Sequence, residues 1–358
     1  MLTTTWQTTS FTKQSRAIIV PDASLTFTCP ISGKAVRWAE KDLFNPAAGV
    51  KDGQVHLLVR AEDSVGPYKG TSRIGLATSR DGVHFTVDPE PVIFPDHDHC
   101  LEFERDGGCE DPRLMLRDDG TWICTYSAFN GSLCHLNVAT SRDLKKWTKH
   151  GPAFAATPWA HHWAKSGAML GRWHGEQLVL TRVAGKYWMY WGEGVLFAAT
   201  SDDGIAWTPV TAPVNDHRIT GLNQHGEYVG MPTPGALQAL RPLAYPRPGK
   251  FDTHLVEPGP AAVLGEAGIV LWYNGARPGK DAGIYCGGQM LFDGDNPTVL
   301  IERPAAPTLI PDQDWELTGQ CAAVLFSEGL VRFNGRQHVY YGGADSCIGV
   351  AIERLAGD

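Results

Sequence analysis

The chain has 358 residues, of which 43% are hydrophobic and 20% charged, a composition typical of a globular protein with an ample core. The formal charge of −8 argues against a nucleic-acid surface, which needs a basic patch, so we expect no nucleic-acid partner. No apolar run approaches the roughly 20 residues that cross a bilayer, so we expect no membrane partner either.

The N-terminal segment MLTTTWQTTSFTKQSR has no apolar stretch of signal-peptide length. The eight cysteines are scattered and form no CxxC motif, a pattern typical of reduced, mostly buried thiols. Together these features predict a cytoplasmic protein. The stretch DHDHC at 96–100 has no second ligand cluster, so we predict neither a metal nor a cofactor.

After an N-terminal arm of about 35 residues, three segments repeat one pattern: LATSRDGVHFT (76–86), NVATSRDLKKWT (137–148) and FAATSDDGIAWT (197–208). Each combines a short strand, a Ser-x-Asp turn, and an aromatic residue followed by threonine, which is the chemistry of a hairpin. Self-similarity at a nearly fixed period indicates a repeat fold.

Two further series have five members each. Strands that end in polar residues recur as VHLLVRAED (55–63), TWICTYSAFN (121–130), KYWMYWGE (186–193), IVLWYNGA (269–276) and HVYYGGAD (338–345). Before them come strands rich in small residues: FNPAAGV (44–50), EDPRLML (110–116), AKSGAML (164–170), EPGPAAVL (257–264) and GQCAAVLF (319–326). The sequence therefore predicts an all-β chain that is one five-bladed β-propeller over residues 1–358, with a Pro- and Gly-rich insertion between blades at about 209–256.

In a propeller the small-residue strands line the central channel, so the polar residues at their entries meet at one mouth. We expect there Asn45, Asp111, Lys165, Glu257 and Gln320, and from the second series Arg60, Glu62, Asp63, Glu193, Asn274 and Asp345. Any one of these acids could simply cap a turn, but several at equivalent blade positions favour a site. Because strand alternation sends Glu110 and Asp111 to opposite faces, we assign the chemistry to Asp111.

The segments GCEDPRL, SRDLKKWTKHGPAF, FNPAAGV with VRAED, and YYGGADSCIGVA resemble glycoside hydrolase family 130, with EDPR, the later WE and YYGGAD in the family's order. The resemblance runs from about residue 40 to the end and implies a five-bladed propeller that acts on mannosides. It implies that Asp111 is the general acid and that the mannosyl unit is held by Asn45, Arg60, Asp63, Arg113, Lys165 and Asp345. We add Tyr273, in the strand IVLWYNGA, to the predicted substrate-binding residues.

The resembling family contains phosphorylases and hydrolases. Glu257 stands where phosphorylases of the family carry a phosphate-binding histidine, and Glu193 supplies a second acid. Carboxylates repel phosphate but can deprotonate water, so the departure favours the hydrolytic branch, with one of Glu193 and Glu257 as the base. The predicted activity is inverting, exo-acting hydrolysis of β-mannosides, most of all β-1,2-linked manno-oligosaccharides. The sequence does not decide which of Glu193 and Glu257 is the base. It also allows a homo-oligomer.

A phosphorylase that yields α-mannose 1-phosphate is the nearest alternative, because Lys165, Arg60, Arg113 and the pair His161 and His162 could hold an anion. A sialidase shares similar turns but needs an arginine triad. A sugar-binding propeller without catalysis would not need opposed acids.

Overall fold

The computed structural model describes residues 6–214, 237–280, 282–355 and 357. Across these residues the protein is nearly all β. Helices in the described part are a 3-10 turn at Pro67–Lys69 and two single-turn α-helices, α1 (Leu101–Glu104) and α2 (Asp314–Leu317). The expectation of an all-β chain is therefore confirmed, and none of the described helices is long and apolar enough to cross a membrane.

Three short strands precede the repeats: β1 (Phe11–Lys13), β2 (Thr26–Thr28) and β3 (Ala35–Arg37), of which β2 and β3 form a hairpin. Unit 1 then comprises β4 (Asp42–Lys51), β5 (Gln54–Glu62), β6 (Ser72–Ser79) and β7 (Thr86–Val87). Unit 2 comprises β8 (Gly108–Leu116), β9 (Trp122–Phe129), β10 (Cys134–Ser141) and β11 (Thr148–Pro152). In both units each strand pairs antiparallel with the next.

Unit 3 comprises β12 (Ala168–His174), β13 (Gln177–Leu180), β14 (Arg182–Val183), β15 (Lys186–Trp191), β16 (Phe197–Ser201) and β17 (Trp207–Pro209). A hairpin-like pair, β18 (Thr211–Pro213) and β19 (Gln238–Leu240), follows. It belongs to the predicted insertion at about 209–256, part of which lies outside the described residues. Unit 4 comprises β20 (Leu255–Pro258), β21 (Ala262–Gly265), β22 (Gly268–Arg277), β23 (Ile284–Phe292) and β24 (Leu300–Glu302), and unit 5 comprises β25 (Leu325–Phe333), β26 (Arg336–Gly343) and β27 (Cys347–Glu353).

The two ends of the chain meet in unit 5. Its outer strand is β1, which pairs antiparallel with β27 so that Phe11 faces Glu353. Part of the predicted N-terminal arm is thus the fourth strand of the last unit. Unit 5 also contacts unit 1, because the Leu43 N–H donates to the Ser346 carbonyl over 3.2 Å. Both contacts tie the last unit to the first part of the chain.

The innermost strands pack closely, as their small residues predict. A Cβ atom on Gly329 of β25 would lie 2.8 Å from the Pro46 carbonyl oxygen and 2.9 Å from the Ala48 Cβ of β4. Such distances are shorter than van der Waals contact, so only glycine fits there. The inner strands of units 5 and 1 can therefore approach each other closely enough to bring their polar ends together.

The predicted hairpin turns are confirmed in units 1, 2 and 3. The Ser79 hydroxyl accepts the N–H groups of Asp81 and Gly82, and the Asp81 carboxylate accepts those of Val83 and His84. The turns at Ser141 and Ser201 repeat this pattern with Asp143 and Asp203. The motif is local hydrogen-bond chemistry, which is why it could be recognised from the sequence.

Candidate active site

Three inner strands carry a β-bulge at the same level. The register slips at Asn45 in β4, at Asp111 and Pro112 in β8, and at Glu328 in β25. Asn45 and Asp111 take left-handed backbone angles, with φ of 47° and 46°. A bulge bends the strand and redirects the side chain of its extra residue. The bulges therefore aim Asn45 and Asp111 at a common point.

A polar pocket of about 510 Å³ lies at that point. It is lined by Phe44, Asn45, Arg60, Asp111, Lys165, Glu193, Glu257, Ala282, Tyr285, Gln320, Val324, Phe326 and Asp345. Units 1 to 5 all contribute, directly or through the loops that lead into their strands. Seven of the ten residues predicted to form the site are in this set, and so is Gln320.

Lys165 lies between three carboxylates of the pocket. Its ammonium nitrogen is 3.4 Å from Asp111 Oδ2, 3.7 Å from Glu257 Oε1 and 4.0 Å from Glu193 Oε1. Burial lowers the pKa of Lys165, but these carboxylates outweigh burial and hold its pKa well above the ordinary value. Lys165 is consequently a permanent cation that links the predicted acid to both candidate bases.

Arg60 binds both carboxylates of the EDPR segment. Its guanidinium lies 2.8 Å from Asp111 Oδ1 and 3.1 Å from Glu110 Oε1. The expectation that alternation would send the two acids to opposite faces is wrong, because the bulge at Asp111 interrupts the alternation. Asp111 nevertheless remains the one of the two that lines the pocket.

The carboxyl groups of the pocket differ in charge state. Burial raises the pKa of Asp111, but Arg60, Lys165 and Arg113 outweigh it and hold that pKa well below the ordinary value. Burial raises the pKa of Glu257 to about 7, against the opposing effect of Lys165, and raises that of Asp345 to about 6. At neutral pH the free pocket therefore holds an ionised Asp111 beside a Glu257 that is close to half protonation.

The two candidate bases are held differently. Glu257 is buried, at 2% exposure, and accepts a hydrogen bond from the Ser166 hydroxyl. Glu193 keeps a side chain 20% exposed and accepts a hydrogen bond of 2.8 Å from the Trp163 indole N–H. Both carboxylates face the pocket. Each accepts a hydrogen bond from one neutral donor, and both lie within 4.0 Å of the Lys165 ammonium nitrogen.

Three residues predicted to bind substrate lie outside the pocket lining. Asp63 pairs with Arg73 at 2.6 Å beside a separate cavity of about 730 Å³, because alternation turns it away from its neighbour Glu62, which contacts Arg60. Tyr273 is fully buried and donates to Asp252 over 2.7 Å. Neither Asp63 nor Tyr273 therefore belongs to the lining of this pocket.

Arg113 is the third predicted substrate-binding residue that lies outside the pocket lining. It is completely buried, forms a 2.8 Å ion pair with the buried Glu328, and donates to the Asp111 carbonyl over 3.0 Å. Its guanidinium lies 5.9 Å from the ring of Phe326, which itself lines the pocket. Arg113 thus supports the left-handed backbone of Asp111 and does not itself line the pocket. Glu62 and Asn274, also expected at the mouth, do not line the pocket either.

Sequence reasoning missed the apolar part of the pocket, namely Phe44, Tyr285, Val324, Phe326 and Ala282. Phe44 directly precedes Asn45, and this position next to a predicted site residue was the only feature of the sequence that could have indicated it. Tyr285 is the second residue of β23, a strand outside both recognised series. Aromatic residues in strands are ordinarily core residues, and nothing in the sequence separates these from the others.

The cysteines behave as predicted, since all eight lie in the described residues, are free, and all but half-buried Cys321 are buried. Among the described side chains, no group of three or more His, Cys, Asp or Glu is arranged to hold a metal ion.

A family model described as beta-1,4-mannooligosaccharide phosphorylase, that of glycoside hydrolase family 130, matches residues 26–356. The chain belongs to glycoside hydrolase family 130. The predicted resemblance is thereby confirmed, and with it a role in the metabolism of mannosides.

Within this family the chain is similar both to phosphorylases and to hydrolases. The 1,2-beta-oligomannan phosphorylase of Thermoanaerobacter sp. (strain X514) is 28% identical over 88% of this chain and 90% of the relative. A solved glycosyl hydrolase from Bacteroides ovatus is 40% identical, covers 97% of this chain and 94% of that chain, and superposes with a TM-score of 0.86.

A further solved chain of the family is 39% identical over 97% of this chain and 94% of its own, with a TM-score of 0.86. Its structure was described with the statement that the GH130 family of mannoside phosphorylases contains glycoside hydrolases that target beta-1,2 mannosidic linkages in Candida mannan.

Proposed function

We propose that this member of family 130 is a β-mannosidase that hydrolyses β-1,2-linked manno-oligosaccharides from one end, with inversion. In this proposal residues 1–358 form one domain, units 1 to 5 are the blades of a five-bladed propeller, and the pocket is the mouth of its central channel. The terminal mannose occupies the pocket.

The charge balance of the pocket carries the proposal. Its ionisable lining consists of the cations Arg60 and Lys165 and four carboxyl groups, those of Asp111, Glu193, Glu257 and Asp345. Both cations are already paired with carboxylates at 2.8–4.0 Å. A phosphate dianion would meet repulsion here, whereas a neutral water molecule would meet bases that can take its proton.

The assignment of roles follows from the geometry. Glu257, with a pKa of about 7, is suited to accept a proton from water at neutral pH, so we assign it as the base. Glu193 then orients the water. The shared contact to Lys165 keeps Asp111 Oδ2 and Glu257 Oε1 at most about 7 Å apart. An inverting mechanism uses a separation of about 6.5–9.5 Å, so the proposal requires the two oxygens to lie near that limit.

Asp111 is the proposed acid, although it is ionised in the free pocket. A sugar bound between Asp111 and Lys165 would displace water and loosen their 3.4 Å contact. Both changes raise the pKa of a carboxyl group, so the substrate itself prepares Asp111 to hold and release a proton. That proton reaches the leaving oxygen either directly or through a hydroxyl group of the sugar.

The residues beside Asp111 are proposed to bind the mannosyl hydroxyl groups. Asn45 donates to Asp111 over 3.0 Å, and its own buried Oδ1 has no hydrogen-bond partner among the described residues. A buried carbonyl without a donor is costly, and a sugar hydroxyl would satisfy it. Arg60 and Asp345 complete the same side of the pocket.

A phosphorylase is the second candidate, because the family model and the curated relatives bear phosphorylase names. The pair His161 and His162 is not part of the pocket lining, which weakens this candidate. Analysis of the products of β-1,2-mannobiose with and without phosphate tests the choice. Free mannose at a rate independent of phosphate supports the hydrolase, and mannose 1-phosphate supports the phosphorylase.

A further inference from the structure

Two exposed aromatic side chains lie on one patch beside the pocket. Among the described residues, Tyr68 and Trp163 are the aromatic members of the set of exposed large hydrophobic side chains, at 60% and 43% exposure. Both contact the half-buried Phe129, with ring-centroid distances of 5.7 Å for Tyr68 and 6.3 Å for Trp163. We call Tyr68, Phe129 and Trp163 the aromatic platform.

The platform begins at the edge of the pocket. The Trp163 indole N–H donates to Glu193 over 2.8 Å, and Glu193 lines the pocket. Phe129 and then Tyr68 extend the aromatic surface away from Glu193. A ligand that leaves the pocket past Glu193 therefore meets Trp163 first and Tyr68 last.

The loop that carries Tyr68 is held in a specific shape. Tyr68 itself takes a left-handed backbone conformation, with φ of 57°. The Asp63 carboxylate accepts the N–H groups of Val65, Gly66 and Thr71 and is fixed by Arg73. Asp63, which does not reach the pocket, thus organises the loop on which Tyr68 stands.

A glycine between β9 and β10 leaves space for the ring of Tyr68. A Cβ atom on Gly131, which has φ of +89°, would lie 2.3 Å from the Tyr68 hydroxyl oxygen. Any larger residue at 131 would displace the tyrosine, so glycine leaves the space that the ring occupies. An unfavourable backbone angle and a matched glycine together indicate a side chain placed for a purpose, not an accidental exposure.

We infer that the aromatic platform binds the sugar units on the leaving-group side of the cleaved bond, so that it selects longer β-mannoside chains. Exposed apolar patches that continue a polar pocket are typical of ligand grooves. The ring faces are electron-rich and pack against the C–H faces of pyranose rings, while the platform offers them no charge to desolvate. This inference rests on the proposed function, whose substrate class it narrows.

The test compares two substrates, β-1,2-mannobiose and β-1,2-mannotetraose, with Tyr68→Ala. Tyr68 touches no residue of the pocket lining in any described contact, so its loss should spare the disaccharide. We expect kcat/KM for the tetraose to fall about 5- to 10-fold, as for one stacking contact, and kcat/KM for the disaccharide to stay unchanged. Tyr68→Phe, which keeps the ring, should behave as wild type, and so should Val65→Ala, an exposed apolar change in the same loop.

The outcomes separate the inference from the proposed function. Wild-type protein that cleaves neither substrate, with or without phosphate, overturns both. If the wild-type protein cleaves both substrates and Tyr68→Ala has the same ratio of kcat/KM for the tetraose to kcat/KM for the disaccharide, only the inference about the aromatic platform is overturned. A Tyr68→Ala variant that keeps this ratio but sediments as a smaller species also overturns it, because the patch is then a contact between two copies of the chain.

Discussion

The ammonium group of Lys165 joins Asp111 and Glu257, at 3.4 and 3.7 Å from their carboxylate oxygens. The two acids come from units 2 and 4, and Lys165 is a counter-charge that they share. The same lysine lowers the pKa of both carboxyl groups, so it sets how the pocket divides its protons.

Asp111→Asn should reduce turnover about 10²- to 10⁴-fold, because the amide cannot supply a proton to the leaving group. The fold should survive, since the amide has nearly the same shape. Glu110→Gln is the matched control: Glu110 also contacts Arg60 but does not line the pocket, so this variant should keep far more activity. Steady-state kinetics and circular dichroism check both. Near-normal turnover in folded Asp111→Asn would remove Asp111 from the mechanism.

Glu257→Gln should abolish hydrolysis while leaving mannoside binding largely intact. Azide should then partly restore cleavage of an activated β-mannoside and give an α-mannosyl azide, because attack from the vacated side inverts the linkage. Glu193→Gln should retain partial hydrolysis without a gain from azide. Rescue of Glu193→Gln instead would exchange the two roles, and wild-type rates in both variants would contradict the hydrolase.

The pH profile should report Glu257. The reaction needs a proton on Asp111 and none on Glu257, so the free enzyme must carry one proton over this pair. Because Asp111 is ionised in the free pocket, that proton is lost as Glu257 ionises, and kcat/KM should be level just below pH 7 and fall as the pH rises above about 7. Because Lys165 lowers the pKa of Glu257, Lys165→Met should move this limb to higher pH, whatever it does to the maximal rate. A kcat/KM that rises through pH 7 and levels off above it would contradict the pairing of an ionised Asp111 as the acid with Glu257 as the base.

Arg113→Met should destabilise the protein by about 3–5 kcal/mol, because it leaves the buried Glu328 without its counter-ion. Arg142→Met is the matched control, since the Arg142 side chain is 66% exposed and its pair with Asp119 is 3.6 Å long. That change should cost less than about 1 kcal/mol. Urea unfolding measures both. Equal stabilities of the two variants would contradict a supporting role for the Arg113 pair.

The sequence predicted what depends on local patterns. The Ser-x-Asp turns form through hydrogen bonds within four residues, and the inner strands of units 1 and 2 were recognisable from their small residues. The predicted strand GQCAAVLF (319–326) was misplaced, because most of it precedes β25 (Leu325–Phe333). The five predicted entry residues, Asn45, Asp111, Lys165, Glu257 and Gln320, all line the pocket. Lys165 and Gln320 do so from the segments that precede β12 and β25, not from the strands themselves. In unit 5 the bulge equivalent to those at Asn45 and Asp111 is at Glu328, so Gln320 reaches the pocket from a preceding loop.

The predictions that missed the pocket depended on the geometry of single residues. Asp63 and Glu62 are neighbours, and only the register of β5 decides which one faces Arg60. Arg113 follows Asp111 by two residues but lies beneath the pocket, because the bulge shifts the strand between them. Trp163 belongs to neither recognised series, so its contact with Glu193 had no signal in the repeats.

The most direct test of the central claim is the cleavage of β-1,2-mannobiose in ¹⁸O-labelled water with inorganic phosphate present, followed by NMR and mass spectrometry from the first minutes. The account predicts that α-mannose forms first and carries ¹⁸O at C1, at a rate that phosphate does not change. Mannose 1-phosphate as the product, or a rate that rises with phosphate, would contradict it.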